Sequence, residues 1–490
     1  MQENMEKNRN IIVYAILQAK RDQAMFRLKK KGPGGLRLLY DEARLQPHVR
    51  RGLNWIMGGN LCGTLHGTIC AGGSAAMVGL AGLLGAGDME FGLLVAIPQI
   101  AAILQIPFSM LVNKTGKRKI YILTFGVISR LIWLLFGFLP LISGAPESKL
   151  PLYTLITLLG ISSACGAAIN VCWFPWFSEL APIRIRGRWL SYRDRIIAVA
   201  GLLFGLLVAY LLDVLPIESK YIVIFLVGGA LGVMDMICFG FVREENVKPS
   251  NEKMLLRKNL GEIFRNKPFM RITAMWTAWC FTANLSGAYL TPYAMNVMHL
   301  DFLQITLFGT VAASLATVMI ISKWGRAVDI HGSRNVMLVA GIGASITPIF
   351  YLLSTPGSIW PTLLHNVIGA LFWSGTNLAA NSMQLSNTPD ENRPMYIAIF
   401  SCVTCLVGTA LGTMFGGTLL TMAQANNWFA GKFDRYMALI TLSVILRLGL
   451  TLILVPGMNN ESDSKAMDVI RFFLPKKDTL RMIGLIRKKN

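Results

Sequence analysis

The chain has 490 residues, of which 53% are hydrophobic and only 15% are charged, and its formal net charge is +21. Soluble globular domains carry about 25% charged residues, so this composition excludes a soluble multidomain protein and predicts many membrane-spanning helices. Because the positive charge is concentrated in loops and tails beside apolar runs, it indicates membrane topology, and we expect no binding to nucleic acid.

The first predicted segment, residues 1–52, is basic. Its apolar run IIVYAIL at 11–17 is short, is followed by Lys20 and Arg21, and has no small-residue cleavage site, so we expect no cleavable signal peptide. Much of this segment interleaves apolar and basic residues, as the end of the chain also does. Such tails suit the surface of an anionic membrane leaflet, and solvated tails are the alternative.

Twelve apolar runs of helix-spanning length follow, each bounded by charge, proline or glycine. Their continuous apolar character favours helices over barrel strands, because backbone groups in lipid must be hydrogen-bonded within the segment. The predicted spans are 53–80, 90–112, 119–142, 150–177, 190–213, 220–242, 272–296, 303–323, 335–354, 360–384, 396–421 and 435–456. The sequence thus predicts an all-α membrane protein with 12 transmembrane helices.

Lysine and arginine are distributed unevenly between the two sides of these spans. The side that carries both termini receives 41 of the 47, whereas the opposite loops hold Lys149, Lys220, Lys432 and Arg435. Because positively charged loops remain in the cytoplasm, we expect a multi-pass protein of the cell membrane (inner or plasma membrane) with both termini cytoplasmic.

The longest polar break between spans, 243–271, divides the helices into two sets of six. We therefore expect an N-terminal six-helix bundle at 53–242, a cytoplasmic linker at 243–271, a C-terminal six-helix bundle at 272–456 and a basic amphipathic tail at 457–490.

A weak internal repeat supports this division. The loop NKTGKRK (113–119) after helix 2 aligns with DIHGSRN (329–335) after helix 8, and ELAPIRIRG (179–187) after helix 4 aligns with SNTPDENRP (386–394) after helix 10. The paired positions are Gly116 and Gly332, Arg118 and Arg334, Pro182 and Pro389, Arg186 and Arg393, and Asn170 and Asn377.

These loops resemble the signature of the major facilitator superfamily, in which a small residue, an Asp and a Gly followed by basic residues join helices 2 and 3 and again helices 8 and 9. The second loop fits this pattern better, because the first has Asn113 where the Asp is expected. The resemblance covers about residues 53–456. It implies two parallel six-helix halves with a site at mid-membrane. In the second loop the pattern occupies Gly325, Asp329, Gly332 and Arg334.

The resemblance also implies a cytoplasmic gate, because in that family the loop Asp of each half packs against the start of a helix in the other half. We therefore expect Asp329 near the start of helix 5, with Arg188 as its partner, and Asn113 near the start of helix 11. Helix N-termini are partly positive, so the charged Asp329 should form the stronger contact. The predicted gating residues are Asn113, Gly116, Arg118, Glu179, Arg186, Arg188, Gly325, Asp329, Gly332 and Arg334.

Polar residues recur along one face of helix 10, at Asn366, Trp373, Asn377, Asn381 and Gln384. A polar stripe on a spanning helix faces a cavity or another helix. We predict that it lines the substrate path, and hydrogen bonding between helices is the alternative.

Helices 4 and 7 carry similar faces, and in the resembled family helices 1, 4, 7 and 10 line the central path. Aromatic rings beside amides suit a neutral polar or flat solute, sugar-like or nucleobase-like. A place in the interfacial aromatic belt is the alternative for Trp173. The predicted substrate-binding residues are Asn60, His66, Asn170, Trp173, Trp276, Asn284, Trp373, Asn377 and Asn381.

Four of the ionisable residues inside the spans need separate explanations. His66 is a candidate for proton coupling, and a buried neutral histidine is the alternative. Arg130 and Asp235 are expected to form a buried structural pair, because either charge alone is costly in lipid. Arg447 has no evident acidic partner, and the sequence assigns it no role.

The remaining patterns give no sign of an enzyme. All eight cysteines lie in apolar stretches, so we expect no disulfides, and the Cys402-x-x-Cys405 motif has no second pair with which to hold a metal. We expect no cofactor or metal. Two marks of proton-coupled antiporters are also missing, a helix-4 arginine near Gly160 and a Gly-Pro-rich helix 5, which disfavours a drug–proton antiporter.

We therefore predict a monomeric secondary transporter that moves a small solute by alternating access. Its expected partners are the solute and membrane lipids. Coupling to a proton or other ion and facilitated diffusion without a coupling ion are both open, because no carboxylate lies deep in the helices of the central path. The alternatives are a drug or lipid exporter of the same fold and a transporter-like sensor or scaffold that does not transport.

Overall fold

The computed structural model describes residues 40, 45–142, 149–244, 261–389, 393–428, 434–459, 462 and 464–473. Within these ranges the chain is almost entirely helical and contains no strand. Most of the predicted basic N-terminal segment, most of the linker and the end of the tail lie outside them.

Twelve long helices run through the described residues and correspond in order to the twelve predicted spans. A short helix, α13 (Ala466–Phe473), follows them. The twelve are α1 (Pro47–Ile69, continued by Ala75–Leu83), α2 (Asp88–Ala101 and Gln105–Thr115), α3 (Arg118–Phe136), α4 (Leu150–Leu180), α5 (Ile183–Val214), α6 (Ile217–Gly240), α7 (Lys267–Gly287 and Leu290–Asn296), α8 (Phe302–Gln304, Ile305–Val311 and Ala312–His331), α9 (Ser333–Ile346 and Thr347–Leu353), α10 (Trp360–Ser386), α11 (Arg393–Val403, Thr404–Ala410 and Leu411–Ala425) and α12 (Arg435–Leu454).

Among the described residues, nine of these helices are long and apolar enough to cross a membrane by length and composition. The three that fall short are α1, α7 and α10. They carry the polar residues of the predicted substrate path, including Asn60, Asn284 and Asn377. The same polar residues lower the hydropathy of these helices and predict their role. Polar side chains inside a bundle do not need to face lipid.

Local interruptions in the helices have identifiable causes. Pro98 lies inside α2, four residues before the short 3-10 turn Ala102–Leu104. Proline removes one helical hydrogen bond and clashes with the preceding turn, which accounts for the interruption. Gly116 ends α2 with φ 69°, and Gly332 ends α8 with φ 79°. Glycine adopts positive φ at little cost, so these two repeat glycines terminate equivalent helices in the two halves.

The helices form two six-helix bundles, α1–α6 and α7–α12. We call the face where α1 begins at Pro47 and α12 ends at Leu454 the terminal face, and the opposite one the far face. One cluster of buried hydrophobic residues lies only in the first bundle and another only in the second. The third contains residues of both bundles, such as Phe136, Phe225, Tyr289 and Tyr436.

The position of these clusters reveals how the bundles meet. The shared cluster includes the far ends of α3, α7 and α12, whereas the two separate clusters include residues near the terminal face, such as Leu180 in α4 and Met383 in α10. The described bundles are therefore joined at the far face, and each has its own core at the terminal face.

Candidate functional site

A cavity lies among α7, α8, α9, α10 and α12. It has two adjoining compartments of about 640 and 580 Å³, which share lining residues such as His365 and Asn366. Each is large enough for a small organic molecule. The polar side chains of the larger compartment are Asn284, Ser286, Thr317, Thr347, His365, Asn366, Trp373, Ser374, Asn377, Asn381 and Arg447.

Four predicted substrate-binding residues line this larger compartment: Asn284, Trp373, Asn377 and Asn381. Trp373, in the middle of α10, is 38% exposed, so its ring is accessible although it lies within a predicted span. Asn284 donates a hydrogen bond to the carbonyl of Cys280 one turn earlier, at 2.8 Å. That bond uses one of the two amide N–H groups, so the amide oxygen keeps its capacity to accept.

Three tryptophans connect α7 to α10 behind this wall. Trp276 and Trp279 stack with ring centroids 5.2 Å apart, and Trp279 and Trp373 are 4.8 Å apart. Trp279 is fully buried and donates its indole N–H to the hydroxyl of Thr451 at 3.2 Å. Trp276 is 7% exposed and does not line the cavity, so it supports the neighbouring rings.

Arg447 on α12 also lines the cavity, although the sequence assigned it no role. It is 4% exposed, and its guanidinium carbon lies 5.6 Å from the ring centroid of Trp279. Among the described residues no carboxylate pairs with it, and its Nε is buried without a hydrogen-bond partner. An arginine inside a span without an acidic partner was the only sequence signal for this position.

The predicted residues of the N-terminal bundle lie elsewhere. Asn170 is exposed on α4, and Trp173 stacks on Phe177 at 5.9 Å with the guanidinium of Arg193 4.9 Å from its ring centroid. Asn60 on α1 is half-buried and donates to the carbonyl of Ile56 at 2.7 Å. None of these residues lines the two compartments.

His66 is packed between α1, α3 and α6 and does not line the two compartments either. It is 2% exposed, its Nδ1 lies 2.8 Å from the carbonyl oxygen of Gly228, and its ring meets Trp133 edge-on at 5.9 Å. The bond to a carbonyl places the proton of the neutral ring on Nδ1. This environment is that of a packed histidine bonded to its neighbour.

The expected pair between Arg130 and Asp235 is confirmed, with 3.2 Å between Nη2 and the carboxylate. It lies beside His66: a Cβ at Gly232 would come within 2.7 Å of both the Arg130 side chain and the His66 ring. A Cβ at Gly63 would meet the Asp235 carboxylate at 2.8 Å. Two glycines thus leave room for a compact charged cluster inside the bundle.

The residues of the predicted gate lie at the terminal face. Asp329 is exposed, and among the described residues it makes no hydrogen bond or ion pair. The side chains of Asn113 and Glu179 lie outside the described part of the structure. Gly325, Arg118 and Arg334 are half-buried, and Arg186 donates to the carbonyl of Ala181 at 3.3 Å. The expected contact between Asp329 and the start of α5, near Arg188, therefore remains a prediction for another conformation.

At the far face, a carboxylate joins the start of α2 to the start of α12. Asp88 is 4% exposed, lies 3.1 Å from the guanidinium of Arg435 and accepts a hydrogen bond from the hydroxyl of Tyr436. Asp434 caps α12 by accepting the N–H of Met437 at 2.8 Å, and burial raises the pKa of its carboxyl above the ordinary value.

A second far-face carboxylate joins α5 to α8. Asp213 accepts the backbone N–H groups of Phe302 and Leu303 at 3.0 and 2.8 Å. These N–H groups belong to the first turn of α8, where they have no partner inside the helix. Sequence reasoning missed Asp88 and Asp213, whose only signal was a charge close to the end of a span.

Comparison with known proteins agrees with this architecture. The sequence model of one family, the Major Facilitator Superfamily, matches residues 60–413. No curated protein matches the sequence at a significant level.

Similar solved structures include a bacterial homolog of the human lysosomal transporter Spinster, in an inward-facing and occupied conformation. Its TM-score is 0.60 at 14% identity, over 88% of this chain and 98% of that one. A D-xylose–proton symporter has a TM-score of 0.60 at 14% identity, over 85% and 100%. The nucleoside transporter NupG has a TM-score of 0.54 at 11% identity, over 88% and 100%.

Identities this low show a shared fold, and the family match covers most of the chain. The helix order, the two bundles and the repeated loops agree with both. The chain is a multi-pass membrane protein and belongs to the Major Facilitator Superfamily.

Proposed function

We propose that the protein is a secondary transporter that moves a small organic solute across the cell membrane by alternating access. The observation that carries this proposal is the asymmetry between the two faces. The bundles share a core and two carboxylate contacts at the far face, and they have separate cores at the terminal face. A rocking motion that reverses this asymmetry would expose the cavity to the other side.

The orientation is part of the proposal. The basic loops and both tails lie on one side of the spans, which supports a cytoplasmic terminal face. The described conformation is then open to the cytoplasm. We further propose that the protein functions as a monomer surrounded by lipid.

The cavity wall supports a solute with polar atoms and a flat or apolar part. Trp373 offers a ring face, and Asn284, Asn377 and Asn381 offer amide donors and acceptors. Xylose and nucleosides, named for two of the similar structures, are solutes of this polar organic kind. A wall with this many amides disfavours a lipid substrate. Arg447 also lines the cavity, and the prediction of a neutral solute did not include its positive charge.

His66 remains a candidate for carrying a coupling proton, but its surroundings favour a structural role. Protonation would add a second positive charge beside Arg130, against the same glycine, Gly232. Uptake that is independent of pH would exclude proton coupling at His66 altogether.

The proposal is tested by screening purified protein for thermal stabilisation by sugars, nucleosides, amino acids and aromatic carboxylates, because a ligand that binds the native state raises Tm. Stabilising solutes are then offered in radiolabelled form to proteoliposomes preloaded with the unlabelled solute. Accumulation above that of empty liposomes is the expected result. Stabilisation without accumulation would favour a sensor, and stabilisation by lipids or large amphipathic drugs alone would favour an exporter.

A further inference from the structure

The guanidinium of Arg447 is a buried positive charge without a counter-charge in the described residues. It is 4% exposed in the middle of α12 and lines the larger compartment of the cavity. Another arginine inside a span, Arg130, has Asp235 at 3.2 Å. A buried charge is costly unless it is paired and hydrogen-bonded, so the two arginines present opposite situations in one protein.

The groups that surround Arg447 do not supply the missing charge. Trp279 lies against the guanidinium at 5.6 Å from its ring centroid, and Thr451, one turn on, donates to the Arg447 carbonyl at 2.8 Å. The aspartates of the second bundle, such as Asp301, Asp329 and Asp434, lie at the ends of its helices, whereas Arg447 lies in the middle of α12. An aromatic face holds a cation in place but leaves its charge uncompensated.

The cavity wall holds a second polar atom without a hydrogen-bond partner. Nδ1 of His365 on α10 is buried and makes no hydrogen bond within the described structure. Its ring lies 5.1 Å from that of Tyr351, and the residue lines both compartments. Two unsatisfied polar atoms on the wall of one cavity indicate that a ligand completes their hydrogen bonding.

Resting on the transport function proposed above, we propose that the solute carries a single carboxylate, which binds the guanidinium of Arg447 in the larger compartment. Arginine presents a planar fork of N–H donors that matches a carboxylate in two parallel hydrogen bonds. One unpaired arginine balances one negative charge, which favours a monocarboxylate over a dianionic phosphate ester. Trp373 and the amides of Asn284 and Asn377 then surround the rest of the solute.

The test uses purified protein in nanodiscs and pairs of probes that differ in charge. The pairs are benzoate with benzamide and indole-3-acetate with indole-3-acetamide, and chloride serves as a small inorganic anion. We expect at least one of the two carboxylates to raise Tm by about 2 °C or more, and its amide to raise it by less than half as much. Chloride should not reproduce the rise.

Two variants of Arg447 and one matched control make the assignment specific. Arg447→Lys keeps the charge but loses the fork, so the carboxylate should bind about tenfold more weakly or worse. Arg447→Met removes the uncompensated charge, so it should lose the carboxylate-dependent rise while its Tm without probe stays the same or increases. Arg130→Met leaves Asp235 without its partner, and its Tm should fall.

Each other outcome contradicts the assignment. Equal stabilisation by an acid and its amide, stabilisation by chloride alone, no stabilisation by either carboxylate, or an unchanged carboxylate effect in Arg447→Met would each overturn it. So would a fall in Tm for Arg447→Met as large as that for Arg130→Met, because Arg447 would then be a structural residue.

Failure of this inference can be distinguished from failure of the transport function. If neutral amides stabilise the protein and enter proteoliposomes while carboxylates do neither, the transporter remains and the carboxylate site is wrong. If carboxylates stabilise the wild type through Arg447 but no probe is taken up, the site remains and the transport function is wrong.

Discussion

The carboxylate of Asp213, in the last turn of α5, accepts the backbone N–H of Phe302, in the first turn of α8, at 3.0 Å. The two residues belong to different bundles. A carboxylate at the start of a helix in the opposite bundle is the contact that the loop motif predicts for Asp329 at the terminal face. The described conformation has this contact at the far face instead, where it holds the bundles together.

Replacing Asp213 by Asn should weaken the far-face contact, because the amide retains an acceptor oxygen but loses the charge that favours the helix N-terminus. We expect a loss of about 1–2 kcal/mol and a corresponding shift toward far-face-open conformations. Labelling of a cysteine placed in the cavity, with an impermeant reagent added from the far side, would measure the shift. Asp301→Asn is the control, because it removes an exposed charge at the N-cap of the same helix, within one bundle. Equal shifts in the two variants would contradict a specific role for Asp213.

Asp329→Asn should shift the population the other way, toward conformations open at the terminal face, and by more than Asn113→Ala does. The reason is that Asp329 brings a charge to the start of α5 when that face closes, whereas Asn113 brings none to α11. Cysteine labelling from the terminal side measures both variants. The asymmetry between the two loops would have no functional meaning if the variants behaved identically.

Replacing only Arg130 of the buried Arg130–Asp235 pair should destabilise the protein more than replacing both residues. Arg130→Met leaves Asp235 charged and unpaired and should destabilise the protein by about 3–5 kcal/mol. The double variant Arg130→Met with Asp235→Asn should recover most of that loss. Thermal unfolding of the single and double variants measures the coupling, and simple addition of the two single effects would show that the pair has no special role.

The cavity wall should separate binding residues from packing residues. Trp373→Ala should weaken stabilisation by a bound solute about tenfold with little loss of folded protein, because the ring is exposed to the cavity. Trp276→Ala should instead destabilise the fold by about 3–5 kcal/mol, because that ring is buried against Trp279. Ligand titrations and melting curves on the same preparations distinguish the two. A reversal of these effects would contradict the assignment of the wall.

Much of the fold was predictable because lipid imposes a simple rule. A spanning segment must satisfy its backbone hydrogen bonds internally and must be apolar enough to insert. The twelve apolar runs followed from that rule. The repeated glycines, Gly116 and Gly332, lie at helix ends that need positive φ. The helical period of the polar residues on α10 predicted that they share one face, and polar side chains within a span must face a cavity or another helix.

The remaining features depended on contacts between residues distant in the chain. The pairing of Asp88 with Tyr436 joins elements from opposite halves and leaves no local pattern. Arg447 was visible as a charge inside a span, but only the arrangement of α12 beside α7, α9 and α10 shows that it faces a cavity. His66 was predicted to line the path, but it is packed within the first bundle. Periodicity does not reveal that the carbonyl of Gly228 bonds to its ring.

The most direct test of alternating access is to cross-link the two bundles at the far face and measure from which side of the membrane a reagent labels the cavity. Thr418 and Met89 lie across the bundle interface, with 3.8 Å between the hydroxyl and the sulfur. A protein with Met89→Cys and Thr418→Cys, cross-linked through these thiols, should remain closed at that face. Ser129→Cys with Ser162→Cys is the matched control, because these hydroxyls are 2.9 Å apart within one bundle.

The reporter is Asn377→Cys, at the middle of α10, labelled in membranes with an impermeant maleimide added from either side and read at that position by mass spectrometry. Without the cross-link, and with the control cross-link, we predict labelling from both sides. With the far face cross-linked, we predict labelling from the terminal side only, and recovery of far-side labelling after the cross-link is cleaved. Labelling from the far side that persists despite the cross-link, or that never occurs in any condition, would contradict alternating access.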